Sequence, residues 1–199
     1  MSLPVNYSSY TLEAGVDEAG RGCLAGPVVA AALILPVDFT HPLLTDSKKL
    51  SHAQRIHLRP VILENALAWA IGVIDAPRID QVNILNATYE AMHAAISGLS
   101  IRPEFLAIDG NRFRPYPSIP HSCLIKGDAR FLNIAGASVL AKTYRDELME
   151  QLHKEYPQYG WDKSKGYPTV FHRQSIAQHG ITPYHRKSFS LLPSPTLFD

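Results

Sequence analysis

Between Pro27 and Pro36 the chain runs through eight residues, VVAAALIL, without one polar side chain. Eight residues fall far short of the roughly 20 that a membrane-crossing helix needs, so this run belongs inside a protein core. A second apolar run covers residues 12–18. The glycine-bearing AGRGCLAG between the two predicts strands joined by a tight connection, a β-hairpin. A core is affordable: 199 residues, 46% hydrophobic and 19% charged, suffice for one compact domain. The N-terminal MSLPVNYSSYTLEAG has no Lys or Arg and no apolar stretch ahead of a small-residue cleavage site, so no secretory signal is expected and the compartment is expected to be the cytoplasm. Cys23 and Cys123 lie far apart without metal-type spacing, which fits a reducing compartment and two small core or near-core residues.

Further elements follow from spacing. Ser51 and Gln54 have capping-box spacing ahead of Ile56, Val61 and Ile62, predicting a helix with a break or kink at Pro60. Residues 67–76 read as a strand with Trp69, Ile71 and Val73 on one face. Val82, Leu85, Tyr89, Met92 and Ile96 recur at steps of three and four, with Pro77 in a first turn and Gly98 as a stop, predicting one helix. Residues 105–109 and 121–125 are short strands, and 131–156 a long helix. Strands first, then strands alternating with helices, imply an α/β sheet of mixed direction. Beyond Tyr156 the GWDKSKGYPT segment and a short helix at 170–178 predict an appended helical lobe from about residue 157; residues 190–199, with two prolines, predict a tail.

The net charge of +1 conceals an asymmetry. Residues 1–110 carry 7 Lys/Arg against 11 Asp/Glu, and residues 111–199 carry 12 against 7. From Gly110 to Arg145 there are six basic residues (Arg112, Arg114, Lys126, Arg130, Lys142, Arg145) and one acid, Asp128. Such a segment suits a polyanion, although charge alone describes a solvated face at least as well.

Four acids stand in unusual contexts. Asp17 and Glu18 end an apolar strand and run into Gly20-Arg21-Gly22; Asp109 ends FLAID; Asp128 follows Lys126-Gly127 at the start of a helix. Strand ends and helix N-termini are where α/β folds gather their sites. Successive strand residues face opposite ways, so Asp17 and Glu18 do not share a face without twist or a cation. Taken singly, Asp17 or Asp109 reads as a turn former and Asp128 as a helix cap. Were they to converge, their repulsion would call for a divalent cation, and an all-oxygen set without Cys or a histidine motif favours Mg²⁺ or Mn²⁺ over Zn²⁺. Glycines on both sides of Arg21 let backbone N–H groups approach a phosphate or sugar oxygen closely.

The chain resembles the bacterial type 2 ribonucleases H over nearly its whole length. The resemblance rests on VDEAGRGCLAGPVVAAALIL at 16–35, DSKKL at 46–50, NILNATYEAM at 83–92, IDGN at 108–111, KGDA at 126–129, GASVLAKTYRD at 136–146, YPQYGW at 156–161, KGYPT at 165–169 and HRKSF at 185–189. It implies a ribonuclease H-like mixed sheet flanked by helices with a small C-terminal helical lobe, a single catalytic domain over 1–189, and Asp17, Glu18, Asp109 and Asp128 as metal-binding and catalytic carboxylates. It further implies that Gly20, Arg21 and Gly22 recognise the ribose 2′-hydroxyl, that Tyr167 packs on the adjoining deoxyribose, and that Ser47, Lys48 and Lys49 contact backbone phosphate. The implied activity is hydrolysis of the RNA strand of RNA-DNA hybrids and cleavage 5′ of ribonucleotides embedded in duplex DNA. Two Mg²⁺ or Mn²⁺ ions would serve it, and the ends would be 5′-phosphate and 3′-hydroxyl. The enzyme is expected to be a monomer serving ribonucleotide excision repair and DNA replication.

The chain departs from the family's pattern at Cys23, where proline is common, at Asn133 and Gly136 in a stretch usually rich in Ser and Ala, and at Ser164, where His is common. His172, His179 and His185 stay unassigned, and His185-Arg186-Lys187 reads equally as a phosphate contact and as a solvated cluster. The related type 3 enzymes carry a substrate-binding domain ahead of the core, for which the 16 residues before Asp17 leave no room. A hybrid-binding module without catalysis would lack at least one acid, and a recombination nuclease has no need of GRG with KGY. The Leu197-Phe198 pair in the tail is similar to the short peptides that dock on the bacterial sliding clamp, with Ser194 or Pro195 in place of the usual glutamine; the alternative is that it folds back on the protein's own surface.

Overall fold

The computed structural model describes residues 3–44 and 50–192. Five strands form one sheet: β1 (Glu13–Ala19), β2 (Val28–Ile34), β3 (Ala68–Ile74), β4 (Phe105–Asp109) and β5 (His121–Leu124), in the order β3-β2-β1-β4-β5. β2 runs antiparallel to β1 and β3, whereas β4 and β5 run parallel to β1. Helices α1 (His52–Asn65), α2 (Ala76–Val82), α3 (Ile84–Ser97) and α4 (Leu132–Glu155) cover the two faces, so the fold is α/β with a mixed sheet.

The unalternated apolar run is explained by this sandwich. Every residue of β2 is buried. Ala30, Ala32 and Ile34 join the core with Ala91, Met92 and Ala95 of α3, while Ala31 and Leu33 join Leu58, Ile62, Val139 and Leu140 of α1 and α4. A strand covered on both faces has no polar face to display. β1 is crossed closely by α4: a Cβ on Gly15 would lie 2.2 Å from the Asn133 carbonyl carbon, so only glycine fits there. The buried Asn133 amide secures that crossing, accepting from Leu35 N–H at 2.8 Å and donating to the Glu13 carbonyl at 2.9 Å.

Two local expectations are corrected and a third is refined. The helix α1 is continuous through Pro60 instead of breaking there; Ser51 and Gln54 close the capping box, and Pro60 lies on the exposed face, where the carbonyl it leaves unpaired can meet water. The single helix expected from Pro77 to Gly98 is two, because Asn83 adopts φ +69° and its side chain caps α3 by accepting from Asn86 N–H. With ψ at 164° this is a strained backbone region for a side chain, held by the strong asparagine cap, so a local capping interaction overrides an uninterrupted apolar period. On β3, Trp69, Ile71 and Val73 do share a face, but Ala68, Ala70 and Gly72 form the more buried one, under α3.

After α4 come a 3₁₀ turn (Pro157–Tyr159), α5 (Trp161–Ser164) and α6 (Val170–His179), the last capped by Thr169. Their core of Tyr159, Trp161 and Ile176 includes Leu24, Ala25 and Met149, so this segment packs directly on the connection that leaves β1. His172 and His185 are buried within it, their Nε2 atoms 3.2 Å apart. Burial, and secondly the facing His172, lowers the pKa of His185 from the usual 6.5 to about 4.

A depressed histidine pKa means that the folded state binds fewer protons than the unfolded chain. Its contribution is intact above pH 6.5 and is lost as the pH falls towards 4, amounting to as much as about 3 kcal/mol. Thermal melting should therefore drop between pH 7 and pH 4.5, and in a His185→Gln variant that drop should be shallower. Parallel melting curves for the two proteins would show no such source if they fall with the same slope.

Candidate active site

The parallel register of β1 and β4 pairs Gly15 with Ala107 and Val16 with Ile108. Asp17 and Asp109 are the next residues on each strand, so they emerge side by side on the face covered by α4, with strands about 4.8 Å apart. They border a cleft of about 340 Å³, together with Glu18, Gly20, Arg21, Gly22 and Tyr167. Seven of the residues singled out from the sequence thus meet in one place.

The others do not. Asp128 is buried in the 3₁₀ turn Gly127–Ala129 and is not among the residues bordering the cleft. Its neighbour Gly127 donates its N–H to Asp109 Oδ1 at 2.8 Å. Ser47, Lys48 and Lys49 lie outside the described residues, as does the Leu197-Phe198 pair.

Each cleft carboxylate is turned onto a protein donor. Asp17 Oδ1 accepts from Glu18 N–H at 2.7 Å, Glu18 Oε1 pairs with Arg21 Nη1 at 3.1 Å, and Asp109 takes the Gly127 N–H. Among the described residues no three His, Cys, Asp or Glu side chains are drawn close enough to form a closed cation site. The set nevertheless fits a hard divalent ion. All its donors are oxygens, and burial, then the negative charges of Glu18 and Asp109, push the Asp17 carboxyl well above the usual carboxylate range, outweighing hydrogen bonds from Ser138 and the Glu18 amide. A divalent cation would relieve that cost.

The Gly20-Arg21-Gly22 loop is held from beneath by two guanidinium groups, both wholly buried. Arg186 donates through Nη2 to the Gly20 carbonyl at 2.7 Å and through Nη1 to the Arg21 carbonyl at 2.8 Å; Nε and Nη2 also reach the Gly26 carbonyl. Arg145 donates to the carbonyls of Pro27, Lys165 and Ala25. Burial lowers the Arg186 pKa to about 10, which leaves it cationic at neutral pH. Two expectations change accordingly. Arg145 does not belong to an outward basic surface, and Arg186 is neither solvated nor placed to meet phosphate.

Tyr167 is 41% exposed at the cleft. Lys142 Nζ lies 5.8 Å from its ring centroid and pairs with Asp146 at 2.6 Å, and the Cys23 thiol sits beside its hydroxyl. Arg55, Ser138 and Lys142 also border the cleft, a role not assigned to them from sequence. A signal existed for two of them. Ser138 and Lys142 are four residues apart, and Ser138 is the one polar residue of the run 134–141, which is the spacing of one helix face turned to something polar.

The two loop glycines differ. Gly20 has φ +93°, and a Cβ there would lie 2.0 Å from Arg145 Nε, whereas a Cβ on Gly22 would meet nothing within 4 Å. Gly20→Ala should cost at least about 2 kcal/mol through strain and displacement of a buried guanidinium. Gly22→Ala should stay within about 0.5 kcal/mol of wild type. Urea unfolding of both measures the difference, and equal losses would mean that the folded chain itself demands both glycines.

With this geometry in hand, the comparisons are consistent with one another. The family model for ribonuclease HII matches residues 14–192. Ribonuclease HII of Bacteroides thetaiotaomicron is 61% identical over 181 residues, 91% of this chain and 90% of that protein. Among solved structures, the ribonuclease H2 of Pyrococcus horikoshii superposes with a TM-score of 0.76 at 23% identity, over 90% of this chain and 94% of that one. The ribonuclease HII in the PCNA complex from Archaeoglobus fulgidus does so with 0.73 at 24% identity, over 94% and 98%. Bst-RNase HIII in complex with Mn²⁺ gives 0.68 at 21% identity, over 92% of this chain and 68% of that one. These three likenesses speak to the fold, and the family model and the close relative to the family: the chain belongs to the ribonuclease HII family and is an endonuclease of the ribonuclease H type.

Proposed function

We propose that the protein cleaves the RNA strand of RNA-DNA hybrids and nicks duplex DNA on the 5′ side of an embedded ribonucleotide. The observation that carries this reading is the shared cleft, in which acids able to serve phosphodiester hydrolysis adjoin a loop whose carbonyls are drawn inward by Arg186. With the carbonyls of Gly20 and Arg21 engaged below, the loop's remaining backbone groups are available above to a 2′-hydroxyl, which is both donor and acceptor. The open space at Gly22 fits a glycine kept for a ligand's approach. Tyr167 packs on the deoxyribose that follows, and Ser47, Lys48 and Lys49 contact phosphate.

Asp17, Glu18, Asp109 and Asp128 would hold the metal. Two divalent ions, Mg²⁺ or Mn²⁺, would supply activation of the attacking water and stabilisation of the leaving oxygen, giving 5′-phosphate and 3′-hydroxyl ends. The Mn²⁺ complex of Bst-RNase HIII supports that choice of ion. The chain's own part is to cluster the acids, seat the ribose against the loop and keep the Tyr167 ring at its edge. The reading takes residues 1–189 as one catalytic unit with a lobe from about 157, working as a monomer in the cytoplasm in ribonucleotide excision repair and replication. Two free cysteines agree with that compartment.

Three duplexes test the assignment: one with a single ribonucleotide, one continuous hybrid and one all-DNA. The first two should be cut and the third left intact. Asp17→Asn should abolish cutting while hybrid binding by fluorescence anisotropy is retained. Tyr167→Ala should slow the single-ribonucleotide duplex at least tenfold, in line with a sugar or base contact of about 1–3 kcal/mol. Gly22→Ala should be folded but at least tenfold slower. Cleavage by Asp17→Asn within tenfold of wild type would contradict the assignment.

The tail is a second point of contact in this reading. The archaeal complex with PCNA supports a clamp partner for the C-terminal Leu197-Phe198 peptide. A peptide of residues 190–199 titrated against the clamp of the same organism should half-saturate at or below ~100 μM, equivalent to about −5.5 kcal/mol. No binding at that concentration would remove the tail from the list of partners.

A further inference from the structure

The buried histidines form a hydrogen-bonded chain with a single consistent proton arrangement. Thr182 N–H donates to His185 Nδ1 at 2.9 Å, so that nitrogen is the acceptor and the proton sits on His185 Nε2. His185 Nε2 faces His172 Nε2 at 3.2 Å, which also accepts from Trp161 Nε1 at 3.0 Å. His172 therefore carries its proton on Nδ1, 3.0 Å from the Tyr167 carbonyl oxygen, to which it donates. A further proton on either ring would bring donors face to face, and burial lowers both pKa values, so the pair is neutral.

The same segment also reaches the loop on the other side of the cleft. His185 bridges Ala25, the Arg186 N–H donates to the Leu24 carbonyl, and the Leu24 N–H donates to the Gly166 carbonyl at 2.8 Å. His185 thus acts on the Tyr167 side while the adjacent Arg186 holds the carbonyls of Gly20 and Arg21. The Tyr167 N–H donates to the Ser164 carbonyl at 2.9 Å and the Thr169 N–H donates to the Tyr167 carbonyl at 2.8 Å, so His172 supplies a third anchor, the one that ties this turn to the His185 side.

We propose that His172 and His185 are positioning residues: their neutral relay fixes the Tyr167 backbone relative to the Gly20–Gly22 loop and thereby sets the preference for a ribonucleotide followed by a deoxynucleotide. This rests on the reading of Tyr167 given above. The histidines touch no substrate and act through Tyr167 alone, so their effect falls on the junction substrate and vanishes once the Tyr167 ring is gone.

The test is a double-mutant cycle on the full-length protein with saturating Mn²⁺, reading the cleavage-rate ratio of the single-ribonucleotide duplex to the continuous hybrid. His172→Phe should lower that ratio about tenfold with hybrid cleavage within threefold of wild type. His172→Gln, whose amide can both donate to the Tyr167 carbonyl and accept from Trp161, should restore it to within threefold. His172→Phe combined with Tyr167→Ala should match Tyr167→Ala alone within twofold. An unchanged ratio in His172→Phe, or losses that multiply in the double variant, would overturn the proposal. A Tyr167→Ala enzyme with a wild-type ratio would instead overturn the reading of Tyr167, and the relay's role with it. Should His172→Phe not fold, His185→Gln is read in the same cycle, and an unchanged ratio there overturns the proposal equally.

Discussion

Two guanidinium groups sit fully buried under the active-site loop with backbone carbonyls, not carboxylates, as their partners. Burying a charge costs several kcal/mol, and hydrogen bonds from a charged donor return about 1.5–3 kcal/mol each. The arrangement holds only if most donors of both groups are engaged, which fixes the path of the chain at Gly20, Arg21, Ala25, Gly26, Pro27 and Lys165 together. A carboxylate partner would have neutralised the charge. Carbonyl partners leave it in place, so positive charge lies beneath the loop, which on the proposed reading is a favourable setting for a phosphodiester.

That loop is useful only where the acids are, and the sheet puts them there. Since β1 and β4 are parallel and in register, Asp17 and Asp109 come to adjacent strand ends, and the connection leaving β1 is the loop itself. The closeness of α4 to Gly15 brings Ser138 and Lys142 over the same cleft. Asp17 is consequently buried beside the partly exposed Glu18 and Asp109, and its surroundings hold it as a poor anion. A site whose folded form strains a carboxylate is one prepared for a cation.

Much of this was legible in the sequence because it is local. The unalternated run at 28–35 announced a core strand, the Ser51 and Gln54 pair announced a cap, and the glycines around Arg21 announced a backbone surface. The failures have physical causes of other kinds. At Asn83 and Pro60 a single-residue preference and an exposed helix face decided matters that apolar periodicity could not see. Arg145 and Arg186 were misread because a basic residue gives no local sign that carbonyls 20 to 166 positions away will enclose it. The histidines were silent for the same reason: His172 and His185 acquire meaning only when α6 sets one against the other.

The central claim is that the Arg186 guanidinium, by holding the loop's carbonyls inward, makes the loop a sensor of the ribose hydroxyl. Arg186→Lys keeps the charge and most of the volume but cannot bridge three carbonyls with a planar fork. The decisive measurement is its rate on a single-ribonucleotide duplex, at a temperature well below its melting point and with saturating divalent ion. The account predicts a rate at least tenfold below wild type together with a raised KM; a rate and KM within twofold of wild type would contradict it.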